Sequence, residues 1–412
     1  MSEEGGSGVA SAFDPVAFLA EAVPVESHES SDEMRGFLVD TLAEHGVEAR
    51  VDNAGNVRAT RRADGDTGAA AGETPDGAAR GPADDDLDGP HLVLNTHIDT
   101  VPPHVEFERG TDDAGREVFR GRGSCDAKGP LAALLAGFLA VEPARGAVTL
   151  AVTPDEETLS TGADALVRGR GADHPDGPVD PVGGDLFLVG EPTDCDVCVA
   201  ARGRFEGTLT LTGSAAHAAE PGSGVNAVAA LEDALAAVRA FDDGAATHPL
   251  LGGPTLVPTG VAGGEATNQV PARATVTLDR RSVPPETAEG FREALASAVH
   301  GAVADEVGVA FELTDRPTPF LEAFDTDPEH PLATAVRDAA RAVGGSGDGE
   351  RRPFGAATEA SYFAPAPTVV FGPGHLADGD GAVAHSEREY VRVDRVRDAA
   401  EAVRRAVGTL VG

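Results

Sequence analysis

The pattern of apolar and polar positions in the first half of the chain differs from the pattern after residue 200. In the first half, apolar runs of strand length are separated by segments of helix length. The predicted strands of this part are residues 47–51, 56–60, 92–94, 148–153 and 186–189, and its predicted helices are 15–21, 32–45 and 130–140. Strands that alternate with helices in this way indicate a largely parallel α/β sheet. Pro130 is expected at the first position of its helix.

From residue 200 the strands alternate apolar and polar positions, which is typical of half-exposed antiparallel strands. This block contains predicted strands at 205–212, 274–278 and 309–313 and predicted helices at 225–241 and 286–300. A helix at 330–343, a strand at 368–371 and a helix at 394–410, capped by Asp394, follow it. We therefore expect an α/β fold whose mixed, mostly parallel sheet is flanked by helices and which carries an inserted α+β domain. The expected domains are a catalytic domain at 12–199 and 316–412 and the insert at 200–315.

Two stretches lack periodicity. Residues 1–11 are predicted to be a loose tail, and residues 61–90, rich in Gly, Ala and Asp, a flexible surface insertion.

Polar clusters follow the apolar strands of the first half. His97 and Asp99 come after the strand at 92–94, and an i, i+2 pair on a strand faces one way. The other clusters supply Asp126, the pair Glu156 and Glu157, Glu191 and, before the last helix, His385. In proteins with parallel sheets, ligands bind at the carboxyl ends of the strands. Two imidazoles and three carboxylates suffice to bind two divalent ions when one carboxylate bridges the two ions. Each cluster alone is typical of a solvated acidic surface, but five at consecutive element ends predict a metal centre.

Charge narrows the choice of partners. The chain has 69 acidic and 32 basic residues, a net charge of −37 and a single lysine, Lys128. Such a surface repels nucleic acid and anionic membranes, so neither is expected as a partner. Because 41% of the residues are hydrophobic and the apolar segments are periodic, we interpret the acidity as adaptation to a salty cytoplasm, not as disorder. At about 1 M salt the Debye length is roughly 3 Å, which screens self-repulsion.

Other composition features favour a cytoplasmic protein. No apolar run reaches 18 residues and no signal-peptide pattern is present. The three cysteines, Cys125, Cys195 and Cys198, are too few for a disulfide framework. Cys195 and Cys198 are interpreted as structural, because a zinc site of this spacing needs a second cysteine pair.

Five segments together resemble a known family. They are residues 97–102 (HIDTVP), 121–129 (GRGSCDAKG), 155–157 (DEE), 190–193 (GEPT) and His385. In this order they resemble the zinc amidohydrolases and peptidases that include acetylornithine deacetylase, succinyl-diaminopimelate desuccinylase, aminoacylase and carboxypeptidase G. The resemblance spans nearly the whole chain, and Ala127 stands where the motif usually has Met.

The resemblance implies two Zn²⁺ ions per chain, with Co²⁺ or Mn²⁺ as possible substitutes, bridged by Asp126. It implies His97 and Glu191 as ligands of one ion and Glu157 and His385 as ligands of the other. Asp99 would orient His97, and Glu156 would be the general base.

The resemblance also implies substrate contacts and a dimer. His217, in the inserted domain, would stabilise the oxyanion in the neighbouring subunit of a homodimer. Asn268 and Arg281 match positions that contact the substrate carboxylate. Thr358, Gly372 and Gly374 lie in segments most like the deacetylase branch and are assigned to substrate binding.

The expected function is metal-dependent hydrolysis of the amide bond of an N-acyl amino acid, of acetylornithine or succinyl-diaminopimelate type. A dipeptidase or carboxypeptidase on the same scaffold is the alternative. Position 191 holds Glu and not Asp, which favours the deacylase and carboxypeptidase branch of the family that the chain resembles. A non-catalytic binding relative would be expected to lack a ligand or the base, and none is missing here.

Overall fold

The computed structural model describes residues 12–63, 87–344 and 349–412. The predicted tail and residues 64–86 of the predicted insertion lie outside this part. Within it the chain forms two compact units. The first contains the described residues up to Val199, together with Thr326–Arg352 and Tyr362–Gly412, and the second contains Ala200–Asp325 and Pro353–Ser361.

The helices of the described residues are α1 (Pro15–Ala22), α2 (Asp32–Glu44), α3 (Lys128–Ala140), α4 (Thr161–Arg168), α5 (Leu231–Ala240), α6 (Ala288–His300), α7 (Pro331–Val343), α8 (Ala360–Phe363) and α9 (Val393–Val411). The strands are β1 (Arg50–Val51), β2 (Val57–Arg62), β3 (His91–His97), β4 (Glu108–Thr111), β5 (Glu117–Arg120), β6 (Ala147–Thr153), β7 (Leu186–Val189), β8 (Val197–Ala201), β9 (Gly203–Thr212), β10 (Ala216–His217), β11 (Thr255–Gly263), β12 (Gln269–Val270), β13 (Arg273–Ser282), β14 (Gly308–Leu313), β15 (Phe324–Asp325), β16 (Arg351–Phe354), β17 (Thr368–Val370), β18 (Ala377–Asp378), β19 (Gly381–Ala382) and β20 (Tyr390–Arg392). None of these helices is both long and apolar enough to cross a bilayer.

The first unit is built on one mixed sheet with the strand order β1-β2-β6-β3-β7-β17-β8. The four central strands, β6, β3, β7 and β17, run parallel, whereas β2 and β8 pair with them antiparallel. Every residue of β3 and β6 is buried, as expected when helices cover both faces of a parallel sheet. The predicted mixed, mostly parallel sheet flanked by helices is confirmed.

Helix α9 packs against neighbouring helices of the first unit. Helix α3 packs against α9, and α9 packs against α7. Gly137 permits the α3–α9 approach, because a Cβ at this position would lie 2.5 Å from Val403 Cγ1. A short antiparallel sheet of β20, β5 and β4 connects the segment before α9 to the loop that leads into α3.

The second unit is a four-stranded antiparallel sheet, β11-β13-β9-β14, with α5 and α6 over its buried face. Alternate residues of β9 are buried, in agreement with the alternation in the sequence. Phe205, Leu209, Val276 and Phe291 are central to its core. A separate ladder joins β10 to β12. The inserted α+β fold is therefore confirmed.

Several predicted boundaries differ from the structure. Helix α5 begins at Leu231, not at 225, because turns precede it, and Asn226 Oδ1 accepts the Ala229 amide there. Pro130 is the third residue of α3, which begins at Lys128. Asp394 lies one position inside α9, which begins at Val393.

Strand assignments also change. Strand β1 is confined to Arg50–Val51, whereas β2 extends to Arg62 and so includes two residues assigned to the insertion. Strand β11 had no counterpart in the prediction. It contains Pro258 and Gly260, and its register shifts between them, so it lacks a normal strand pattern.

Candidate metal centre

Neighbouring parallel strands bring the predicted ligands to one edge of the sheet. His97 is the last residue of β3, which lies between β6 and β7. Glu156 and Glu157 follow β6, and Glu191 follows β7. The sheet thus collects side chains from three distant sequence segments, as the strand-end argument predicts.

Asp126 lies between two imidazoles and presents a different oxygen to each. Its Oδ1 is 3.3 Å from His97 Nε2, and its Oδ2 is 3.2 Å from His385 Nε2. The Glu157 carboxylate is 2.9 Å from the same nitrogen of His385.

These side chains form three overlapping groups in which one donor atom per residue lies within 4.8 Å of the others. The groups are His97, Asp126 and Glu191; Asp126, Glu157 and His385; and His97, Glu156 and Glu157. The first is buried, whereas the second includes the half-exposed His385. All five predicted ligands and Glu156 are therefore close together.

Asp99 contacts both sides of this cluster. His97 Nδ1 donates to the Asp99 carbonyl at 3.0 Å and lies 3.3 Å from its carboxylate. The two carboxylate oxygens accept the amides of Glu156 and Glu157, each at 3.0 Å. Asp99 thus holds the imidazole with Nε2 facing Asp126 and also fixes the backbone of the glutamate pair.

The close contacts shift the pKa values of the side chains in this cluster. Burial by itself lowers the pKa of His97, but hydrogen bonds to Asp126 and Asp99 outweigh it and raise this pKa well above its usual value. Hydrogen bonds to Asp126 and Glu157 raise the pKa of His385 to about 10. Burial alone would raise the pKa of Asp126, yet the two imidazoles lower it below its usual range. The carboxylates of this cluster thus stabilise positive charge on the two imidazoles.

The profile of peptidase family M20/M25/M40 matches residues 93–409, which include every residue of this cluster. The chain belongs to this family. As a member of peptidase family M20/M25/M40 it is a hydrolase, and the expectation of an enzyme is confirmed.

Two relatives of the chain are named as a hydrolase and a desuccinylase. Over 322 residues the chain is 31% identical to a protein of Pyrobaculum aerophilum named LysW-lysine/LysW-ornithine hydrolase, an alignment that covers 78% of this chain and 82% of the relative. It is 32% identical over 257 residues to succinyl-diaminopimelate desuccinylase of Gluconacetobacter diazotrophicus, covering 57% and 63% of the two chains. The fold is similar to that of aminopeptidase PepT from Bacillus cereus, with a TM-score of 0.72 and 19% identity over 98% of this chain and all of that one.

The second unit of this M20 family member contains four further residues with predicted roles. His217 pairs with Gln269 across the β10–β12 ladder, and the Ala218 amide donates to the Asn268 carbonyl at 2.9 Å. The exposed His217 ring accepts the Ala219 amide at Nδ1, 3.1 Å away, so the neutral ring has its proton on Nε2. Thr358 is buried and accepts the Ala360 amide.

Arg281, the fourth of these residues, has a partner that was not predicted from the sequence. Its Nε donates to Asp279 Oδ1 at 2.8 Å on the half-exposed face of β13. A substrate carboxylate at Arg281 would therefore share this guanidinium with Asp279.

Gly372 and Gly374 have packing roles beside the metal centre. A Cβ at Gly372 would lie 2.6 Å from the Glu191 carbonyl, and one at Gly374 would lie 2.6 Å from Cys125 Cβ. Gly374 also has a φ of +90°, which favours glycine. Both glycines thus allow the backbone to approach the ligand-bearing segments.

A buried ion pair behind Asp126 was not predicted from the sequence. Arg122 Nη1 donates to Glu389 Oε2 at 2.7 Å, and both side chains are almost fully buried. Burial and the nearby charge of Asp126 raise the pKa of Glu389 to about 7, although Arg122 opposes this shift. The sequence did contain a signal for this pair, since Arg122 lies inside the motif at residues 121–129 and Glu389 is four residues after His385.

Proposed function

We propose that this protein is a hydrolase that uses two divalent metal ions to cleave the amide bond of N-acyl amino acids. The observation that carries the proposal is the position of Asp126, whose two oxygens face two different imidazoles 3.3 and 3.2 Å away. A carboxylate that bridges two ions needs this arrangement. His97 and Glu191 would complete one site, and Glu157 and His385 the other.

The donor set fits Zn²⁺ well, because imidazole nitrogens and carboxylate oxygens are its usual ligands outside cysteine sites. Co²⁺ and Mn²⁺ accept the same ligands. When bound, two such ions supply Lewis acidity and lower the pKa of a water that they share.

The side chains of the chain have separate tasks in this proposal. Asp99 keeps His97 Nε2 directed at the centre and anchors the amides of Glu156 and Glu157. Glu157 contacts His385 and is assigned to the ligands. Glu156 is assigned as the general base that takes a proton from the attacking water and passes it to the leaving amine.

The second unit would supply substrate contacts. His217 has its Nε2 proton available to stabilise the oxyanion, and we assign it to the neighbouring subunit's site in a homodimer. Asn268 and Arg281 would hold the amino acid carboxylate, and Thr358, Gly372 and Gly374 would complete the substrate site. Strand β11 supports the dimer, because it is an edge of its sheet among the described residues and its Val257 and Val261 are 49% and 58% exposed.

The preferred substrate is acetylornithine or another N-acyl diamino acid. The names of the two relatives support this class, since lysine, ornithine and diaminopimelate all have two amino groups. A panel of N-acetylornithine, N-succinyl-diaminopimelate and simple dipeptides should be assayed for release of free amine in molar KCl. The fastest release is expected from an N-acyl diamino acid, whereas faster dipeptide cleavage would make the enzyme a dipeptidase.

Metal content gives a second test. Fully active protein should contain two ions per chain, lose activity on chelation and regain it when Zn²⁺, Co²⁺ or Mn²⁺ is added back. Elemental analysis that finds one ion or none in fully active protein would contradict the two-ion proposal.

A further inference from the structure

The buried carboxylate of Glu389 binds the backbone that carries Asp126. Its Oε1 accepts the amide of Cys125 at 3.1 Å and the amide of Asp126 at 3.2 Å. Glu389 is only 1% exposed, and Cys125 is fully buried. The carboxylate thus fixes the position of the Asp126 main chain directly.

The other oxygen of Glu389 holds Arg122, which in turn binds the segment after His385. Arg122 Nη1 donates to Glu389 Oε2 at 2.7 Å and to the Ser386 carbonyl at 3.2 Å, and its Nε donates to the Pro103 carbonyl. Arg122 is itself 1% exposed. One buried ion pair therefore joins the loop that bears Asp126 to the segment that bears His385.

His385 needs such support because its backbone has a φ of 62°, in the left-handed region that residues other than glycine rarely adopt. A residue held there persists only where the surroundings fix it. The Ser386 contact of Arg122 lies directly after this position.

We propose that Glu389 and Arg122 are positioning residues that set the geometry between Asp126 and His385. They would thereby determine the affinity for the metal ion that Glu157 and His385 are proposed to bind. This inference rests on the proposed metal centre. Groups that orient metal ligands from behind typically change metal affinity by about 10- to 100-fold when they are removed. Neither residue would touch the substrate.

The test compares Glu389→Gln with Glu286→Gln. Glu286 is the matched control, because it pairs with the buried Arg280 at 2.7 and 2.8 Å in the second unit and has no role in the metal centre. Zn²⁺ affinity is measured by competition with a chelator, and the Co²⁺-substituted proteins are compared by absorption spectroscopy. Melting temperatures monitor the structural cost of each lost ion pair.

Glu389→Gln should weaken binding of one of the two ions by about 10- to 100-fold, change the Co²⁺ spectrum and lower kcat with little change in KM. Glu286→Gln should lower the melting temperature but leave metal affinity and spectrum unchanged. If Glu389→Gln fails to fold, Arg122→Lys is the second variant. It retains the charge opposite Glu389 but cannot reach all three acceptors, and it should give a smaller loss of affinity.

Two outcomes would overturn the inference, and they differ. The first is that the wild-type protein binds two ions and that metal affinity and the Co²⁺ spectrum are unchanged in Glu389→Gln. If Glu389→Gln cannot fold, the same result in Arg122→Lys counts. This outcome would refute the positioning role alone. Wild-type protein that binds no metal would refute the proposed function as well.

Discussion

Glu156 and Glu157 are neighbours in sequence, but their side chains have different surroundings. Glu157 belongs to two donor groups of the described residues, one with His97 and Glu156 and one with Asp126 and His385, whereas Glu156 belongs only to the first. Glu156→Gln should keep both ions and lose about 10²- to 10⁴-fold in kcat, because it removes a general base and no ligand. Glu157→Gln should instead weaken one ion. Elemental analysis and kcat, measured on both variants, check this.

The same pair of variants can contradict the assignment. Loss of an ion in Glu156→Gln, together with intact metal content in Glu157→Gln, would exchange their roles.

Gly372 offers a test of how closely the backbone must approach a ligand. In Gly372→Ala the new Cβ would meet the Glu191 carbonyl at 2.6 Å, so the segment bearing this ligand must move. Overpacking of this kind costs about 1–3 kcal/mol, and weaker metal binding should accompany it. Gly379→Ala is the control, since a Cβ added at Gly379 would have no described atom within 4 Å. Equal melting temperatures and metal affinities for the two variants would contradict this explanation.

The sequence predicted the ligands better than the residues that support them. His97, Glu157 and Glu191 could be found because each comes after an apolar run in the sequence, and strand ends meet at one edge of a parallel sheet. Glu389 could not be distinguished in this way among 69 acidic residues. Its role depends on Arg122, which is 267 positions away in the sequence.

At the scale of secondary structure, strands with continuous burial were predictable and the exposed edge was not. Strands β3 and β6 are buried along their whole length, and their apolar runs are visible in the sequence. Strand β11 has mostly exposed residues, with Pro258 and Gly260 in its interior. Edge strands tolerate such residues, and therefore their sequence pattern is weak.

The β10–β12 ladder fixes His217, which makes its proposed role testable. His217→Ala should bind metal normally and turn over about 10²- to 10³-fold more slowly, as expected when one oxyanion donor is lost. To test action across subunits, a His217→Ala chain is co-expressed with a Glu156→Gln chain and the mixed dimer is purified. One site of this dimer would carry both defects and the other none, so activity should return.

A mixed dimer that stays inactive would place His217 in the site of its own chain. A monomer in solution would remove the dimer from the proposal altogether.

On the scale of the whole molecule, the charge of −37 predicts a dependence on salt. Self-repulsion opposes the compact state, and at about 1 M salt the Debye length of roughly 3 Å screens it. The melting temperature should therefore rise steadily from dilute buffer to molar KCl. The control is a non-ionic osmolyte at matched water activity, which should not reproduce the rise in melting temperature that KCl causes. Equal stability in dilute buffer and molar KCl would contradict the salt-adapted interpretation.

Lys128, the single lysine, is 1% exposed and its Nζ donates to the Val25 carbonyl. The native protein should therefore resist amine-directed labelling at every side chain, and unfolding should expose one new reactive amine. Because the chain has no tryptophan, intrinsic indole fluorescence cannot report its unfolding. Pulse labelling with an amine-reactive reagent, read as a single added mass at Lys128, would supply that signal. It would do so equally well in dilute buffer and in molar salt.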